Sequence, residues 1–157
     1  MEQAERDRYL NIVRTTPTGL TAALRGVPRK LLTWRPAPGK WSIHEIVCHL
    51  RDVERFFVER YGKVANHDRP ALRVFNQDEL ASAPNYNEDE LRATLREFQD
   101  LRQETLTILS ALAHQSWQRI GLHPKRGEFS IAAAAAHHVE HDTTHLNQLR
   151  ALRERFA

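Results

Sequence analysis

Nine of the 157 residues are histidine, and four of them, His137, His138, His141 and His145, fall within nine positions. His141 and His145 are four residues apart. On a helix such positions lie one above the other on a single face, so both imidazoles can address one metal ion. This is the spacing used by zinc-peptidase helices, but the segment reads HDTTH and lacks the glutamate of H-E-x-x-H, so the peptidase motif is not met. In a chain this rich in histidine the same pair also arises as core or exposed residues that bind nothing. The spacing alone leaves both readings open.

A third ligand has to come from another helix. His49 is the best placed, beside an apolar stripe and flanked on its own side by Ile46 and Val53. A hydrogen-bonded core histidine would occupy the same kind of position. Joined with His141 and His145, His49 completes a set of three imidazoles with open coordination positions, the layout of a catalytic rather than a structural metal site. Zn²⁺ and Ni²⁺ both suit imidazole donors, and spacing does not choose between them. An open position would hold a water or the thiolate of a cosubstrate, either of which zinc ionises near neutral pH. That chemistry needs no nucleophile from the protein, and no serine or cysteine triad is recognisable.

Other residues near these positions are candidates for support. His44 points further from the His49 position along the helix. His137 and His138 read as supporting or core residues, because one straight helix does not wrap three ligands round a small ion. Asp52 stands one turn beyond His49, and Glu140 and Asp142 neighbour the second pair; any of them can orient an imidazole N–H. No further catalytic or cofactor-binding residue is assigned. A di-iron carboxylate bundle is excluded by the absence of any Glu-x-x-His pair, Asp142-x-x-His145 being the nearest version. There is no Gly-rich phosphate loop, no G-x-S-x-G and no C-x-x-C. Cys48 is expected in the core. Trp34, Trp41 and Trp117 read as packing residues at helix ends, and the tail RALRERF as a solvated helix end.

The elements that must position these residues read as helices. The first pattern covers about residues 3–26, with Pro17 either kinking it or restarting it behind Thr16. The second starts at Ser42 and Glu45, a capping-box pair, and repeats Ile43, Ile46, Val47, Leu50, Val53 and Phe57 as far as about residue 61 or 62. Residues 62–86 are polar and broken, with a short helical turn expected near 75–80. The third helix is expected to take Asn87 as its cap and to run to about His114, with Glu88, Asp89 and Glu90 in its first turn. Ser130 caps the fourth, which runs to about Arg155. Strand signals are almost absent. The expected architecture is a single all-α domain, residues 1–157, built as a four-helix bundle. A substrate pocket is expected where helices two and four converge, walled by about 62–86 and 118–129.

Composition bounds the function classes. A net charge of +3, from 23 Lys+Arg against 20 Asp+Glu, is small. The charges are interleaved, as in RDVERFFVER and RATLREFQDLRQE, which reads as solvated helix faces and argues against nucleic acid. One cysteine excludes an intramolecular disulfide framework. No apolar run reaches the roughly 18 residues of a membrane span. The charged start, MEQAERDRYL, has no apolar signal stretch, and the expected compartment is the cytoplasm.

Two motifs, in order, carry a resemblance. GKWSIHEIVCHLRDVE resembles the W-S-x-x-E-x-x-x-H-L-x-D-x-E signature of the DinB/YfiT-like family. HHVEHDTTHLNQL resembles its H-x-x-x-H-x-x-x-H-x-x-Q signature, and HPKRGEFS the Gly-containing loop between them. The likeness spans about Tyr9 to Leu152. It implies a four-helix bundle, often a homodimer, with a divalent metal held by His49, His141 and His145. His137 matches a position that is not generally a ligand, and Gln148 the trailing glutamine. For some members the family implies transfer chemistry on a small-molecule substrate with a low-molecular-weight thiol such as bacillithiol or mycothiol, or a related hydrolase or isomerase activity. The alternatives are a non-catalytic metal-binding stress-related protein and a structural homodimer without metal.

Overall fold

A computed structural model describes residues 1–74 and 86–155. Its long helices are α1 (Gln3–Leu24), α3 (Ile43–Asn66), α4 (Leu91–Ala111) and α5 (Ile131–Glu154), with a one-turn α2 (Arg29–Leu32) between the first two. Each long helix packs on two others: α1 and α3 both lie against α4 and α5. This is the four-helix bundle that the periodicity predicted. No helix among the described residues is long and apolar enough to cross a membrane. The turn expected near residues 75–80 lies outside the described residues.

The helix starts follow local chemistry. Ser42 and Glu45 close a complete capping box at the head of α3. Ser130 Oγ accepts from the Ala133 N–H at 3.1 Å at the head of α5. Asn87, expected as the cap of α4, lies instead in a 3₁₀ turn, Tyr86–Glu88, where its Oδ1 accepts from Ser42 Oγ at 2.9 Å. Glu90 caps α4, accepting from the Arg92 and Ala93 N–H groups. A carboxylate also matches the positive end of the helix dipole, an advantage the Asn87 amide lacks.

Pro17 neither ends nor restarts α1. Its missing N–H orphans the Val13 carbonyl one turn earlier. Arg102 of α4 donates to that carbonyl at 3.2 Å, so the defect becomes a contact between helices.

A two-stranded antiparallel hairpin, β1 (Ile120–His123) and β2 (Gly127–Ser130), leads into α5. The sequence reading did not anticipate it. Ile120, Leu122 and Phe129 do alternate about the turn, but over only four residues a side. Gly127 has φ of 71°, a left-handed conformation that glycine adopts without strain. The hairpin stands at the far end of α3, where Arg119 donates to the Val64 and His67 carbonyls, both at 2.8 Å.

The core falls into two apolar halves. One gathers Val13, Phe57, Tyr61, Leu109, Trp117 and Ile131; the other Leu20, Ile46, Leu50, Phe98 and Leu149. Between them the same four helices present buried polar side chains: Thr16, Glu54, Arg102, Thr105, His138 and Asp142. The bundle is therefore not apolar along its length. Its middle is a polar layer, and the histidines sit beside it.

Candidate metal centre

His49 stands in the second turn of α3, where it is 1% exposed. His141 and His145 are half-buried on successive turns of α5. Packing of α3 against α5 brings the three together. His49 Nε2 and His141 Nε2 are 2.8 Å apart. One ring nitrogen from each of the three residues lies within 4.8 Å of the others. Ring centroids are 4.4 to 4.9 Å apart, with the planes tilted by 45° to 66°, so the rings converge without stacking.

The electrostatics keep these imidazoles neutral. Burial first, then the neighbouring His141 and His145, lowers the His49 pKa to about 2. Burial, then His145, lowers His141 to about 3. Burial also lowers His145, against the opposing hydrogen bond from Gln148. A neutral imidazole keeps one nitrogen lone pair, which is what a metal ligand needs. For His145 the neighbour settles which nitrogen that is. Its Nδ1 is 3.1 Å from Gln148 Oε1, an acceptor only, so Nδ1 carries the proton and Nε2 the lone pair.

Of Gln148, Asp52, His137 and Asp142, Gln148 meets a cluster imidazole and the other three face elsewhere. Asp52 takes Arg51 Nε and Arg55 Nη1, both at 2.9 Å, and the Tyr86 hydroxyl at 2.6 Å. His137 lies against Phe57, ring centroids 6.3 Å apart. Asp142 turns inward to Arg102, at 2.5 and 3.1 Å. Adjacent positions on a helix differ by about 100°, so the neighbour of an outward ligand points inward. His141 Nδ1 has no hydrogen-bond partner among the described residues.

One residue at the site was read only as helix-end packing. Trp41, just ahead of the α3 cap, lays its ring 4.4 Å from His49 and 5.8 Å from His145. It shields the cluster from solvent on that side. Its signal was present as the tryptophan of the first signature. The segment 118–129 does not wall the cluster. It meets α3 near Val64, fifteen residues or about 22 Å along the helix from His49.

A larger correction concerns the charged segments read as solvated faces. Arg102 and Glu54 are both 1% exposed. Arg102 bonds Asp142, the Val13 carbonyl and, at 2.7 Å, Glu54 Oε2. Glu54 also takes Thr105 Oγ1 at 2.5 Å and meets His138 Nε2 at 3.0 Å. The Tyr61 hydroxyl closes the network, 3.3 Å from His138 Nδ1. Burial alone would raise both carboxyl pKa values, but the Arg102 charge outweighs it and holds them below their ordinary range. Cys48 is buried, as expected, and burial pushes its thiol up to about 12. That leaves it no thiolate near neutral pH.

Comparison with known proteins follows this geometry. The model of the DinB superfamily matches residues 12–149. A Bacillus cereus (strain 03BB102) protein named "Putative metal-dependent hydrolase" is 23% identical over 147 residues, 92% of this chain and 84% of that one. A Bacillus thuringiensis subsp. konkukian protein of the same description matches over the same span with the same identity. Among solved structures, YfiT from Bacillus subtilis superposes with a TM-score of 0.90 at 19% identity. The match covers 99% of this chain and 89% of that one. YfiT is described as "a probable metal-dependent hydrolase with an unusual four-helix bundle topology".

Proposed function

The chain belongs to the DinB superfamily, and from that premise we propose that it is a divalent-metal-dependent enzyme acting by hydrolysis or a related transfer. His49, His141 and His145 hold the ion. The observation that carries this reading is the convergence of three neutral imidazoles from two helices. Two nitrogens on a tetrahedral zinc, each at about 2.0–2.1 Å, stand roughly 3.3 Å apart. The 2.8 Å pair and the 4.8 Å limit on the cluster bracket that separation. Three imidazoles with no fourth ligand among the described residues fit a catalytic ion better than a structural one.

When bound, the ion supplies a Lewis acid and a water or thiol acidified towards neutral pH. The chain's own residues do the rest. Gln148 fixes the His145 tautomer and ring. Trp41 covers one flank and lowers the local dielectric, which strengthens charge interactions at the reacting centre. Cys48 stays protonated in the core and takes no part. The relatives' names support hydrolysis. A thiol cosubstrate, a homodimer and the choice of Zn²⁺ or Ni²⁺ rest on the family likeness and the donor chemistry.

The test is elemental analysis of untagged protein beside a His49→Ala control. About one ion per chain, lost in the variant, supports the site. Chelation should then abolish, and metal restore, turnover of ester and amide substrates, or of an electrophile supplied with bacillithiol. No ion after reconstitution with zinc and nickel would leave only the bundle.

A further inference from the structure

Eleven residues beyond His49, on the same face of α3, comes Arg60, only 9% exposed. Its guanidinium carbon lies 5.7 Å from the centroid of Phe57 and 5.4 Å from that of Phe129. The rings attract a cation but offer it no oxygen. Among the described residues no carboxylate, carbonyl or hydroxyl bonds this guanidinium. Arg102, deeper in the bundle at 1% exposed, has acceptors on three different helices.

One neighbour adds positive charge and two add imidazoles. Arg126, in the hairpin turn, places its guanidinium carbon 5.5 Å from the same Phe129 ring. His123 stands 5.9 Å from Phe129, and His137 of α5 stands 6.3 Å from Phe57. The turn is held in place by His123 Nδ1, which accepts from the Lys125 and Arg126 N–H groups, both at 3.2 Å. Of the acids that act on this cluster, Glu59 is engaged by Lys63 and Arg73, and Glu140 is exposed. Burial first, and then the nearby guanidinium charges, lowers the pKa values of Arg60, His123 and His137, which leaves the two imidazoles neutral. Three elements, α3, the hairpin and α5, thus converge charge and ring donors on one spot. A guanidinium fork matches a carboxylate or phosphate in two parallel hydrogen bonds.

We propose that Arg60, Arg126 and His137, grouped on the Phe57 and Phe129 rings, form a second binding site, for the carboxylate or phosphate group of a small molecule. The site lies about 16 Å along α3 from His49. It does not rest on the metal reading and is tested without metal.

The test is thermal unfolding of the metal-free full chain in sodium phosphate, sodium acetate and sodium chloride at matched ionic strength. It compares wild type with Arg60→Met and Arg126→Ala. Methionine keeps the unbranched stem between the two phenylalanines and removes the charge. Phosphate or acetate should raise the wild-type Tm saturably beyond chloride, by about 5–10 °C at a hundredfold excess over Kd. Both variants should lose that rise. A response to phosphate only assigns the site to phosphate groups; a response to acetate as well assigns it to carboxylates. The Arg60 Nε–H resonance should move along the same titration. Rises no larger than those in chloride, or equal in the variants, overturn the proposal. If Arg60→Met does not fold, Arg126→Ala, a change at an exposed position, decides alone.

Discussion

Two buried polar clusters share the middle of the bundle, and adjacent residues of α5 belong to different ones. His141 faces His49 and His145; Asp142 faces Arg102 and, through it, Glu54. The Arg102 cluster supplies its own counter-charges. One cation lies between two carboxylates, and a hydroxyl and an orphaned carbonyl fill remaining positions. The histidine cluster is incomplete. Its members are all neutral donors of the same kind, and two of their nitrogens approach to 2.8 Å with no acid between them. Burying polar groups is tolerated when their partners come with them. A cluster that brings its partners serves the fold. One that gathers three like imidazoles from two helices carries no counter-charge of its own, and it is the one the metal proposal rests on.

The contrast is broken most directly by substitution on each side. His141→Ala should reduce metal from about one ion per chain to almost none while leaving the helix content unchanged. Full occupancy in that variant would remove His141 from the site. Arg102→Met should do the reverse and destabilise the fold, by about 3–5 kcal/mol, because two carboxylates lose their buried counter-charge. Combining it with Glu54→Gln and Asp142→Asn should recover much of that loss in denaturant titrations. A single substitution costing under about 1 kcal/mol would show that the cluster is not a structural unit.

Gln148→Ala sharpens the comparison at its boundary. Metal affinity should fall about 10- to 100-fold with little change in Tm, since the glutamine acts only on the His145 tautomer. An unchanged affinity would deny it that role. The smallest effect is that of pH on the metal-free protein. Well above pH 6.5, by about pH 8, the histidines are neutral in both the folded and the unfolded chain and contribute no slope. Below it the unfolded chain takes up protons that His49 and His141 refuse, so stability falls as the pH falls. That loss continues towards their folded values of about 2 and about 3. Between pH 6 and 5 the slope for His49→Ala should be shallower than wild type, by up to about 1.4 kcal/mol per pH unit. Identical slopes would mean that His49 protonates freely in the folded state.

Much of this was legible along the chain. Ser42-x-x-Glu45 and Ser130 mark the starts of α3 and α5, because a cap is a contact between near neighbours. His141 and His145 share a face by helical geometry alone. Asn87 misled because Glu90, three residues on, is an equally plausible cap, and the turn that holds Asn87 is fixed by Ser42, forty-five residues away. The hairpin was missed because four-residue strands barely establish an alternation. Arg60, Arg102 and Glu54 were read as solvent-facing because charged residues usually are. Their burial depends on partners and rings from other helices.

What the sequence determined by itself is therefore what repeats or pairs within a few residues: four amphipathic helices, their capped starts and one pair of histidines on one face. Tertiary structure alone decided which charges are paired, that His49 Nε2 meets His141 Nε2, that Trp41 stands against the cluster, and that Arg60 is buried between Phe57 and Phe129. The reason is physical. Periodicity and capping are set by the local backbone, whereas the fate of a polar side chain depends on what a distant segment places within about 3 Å of it.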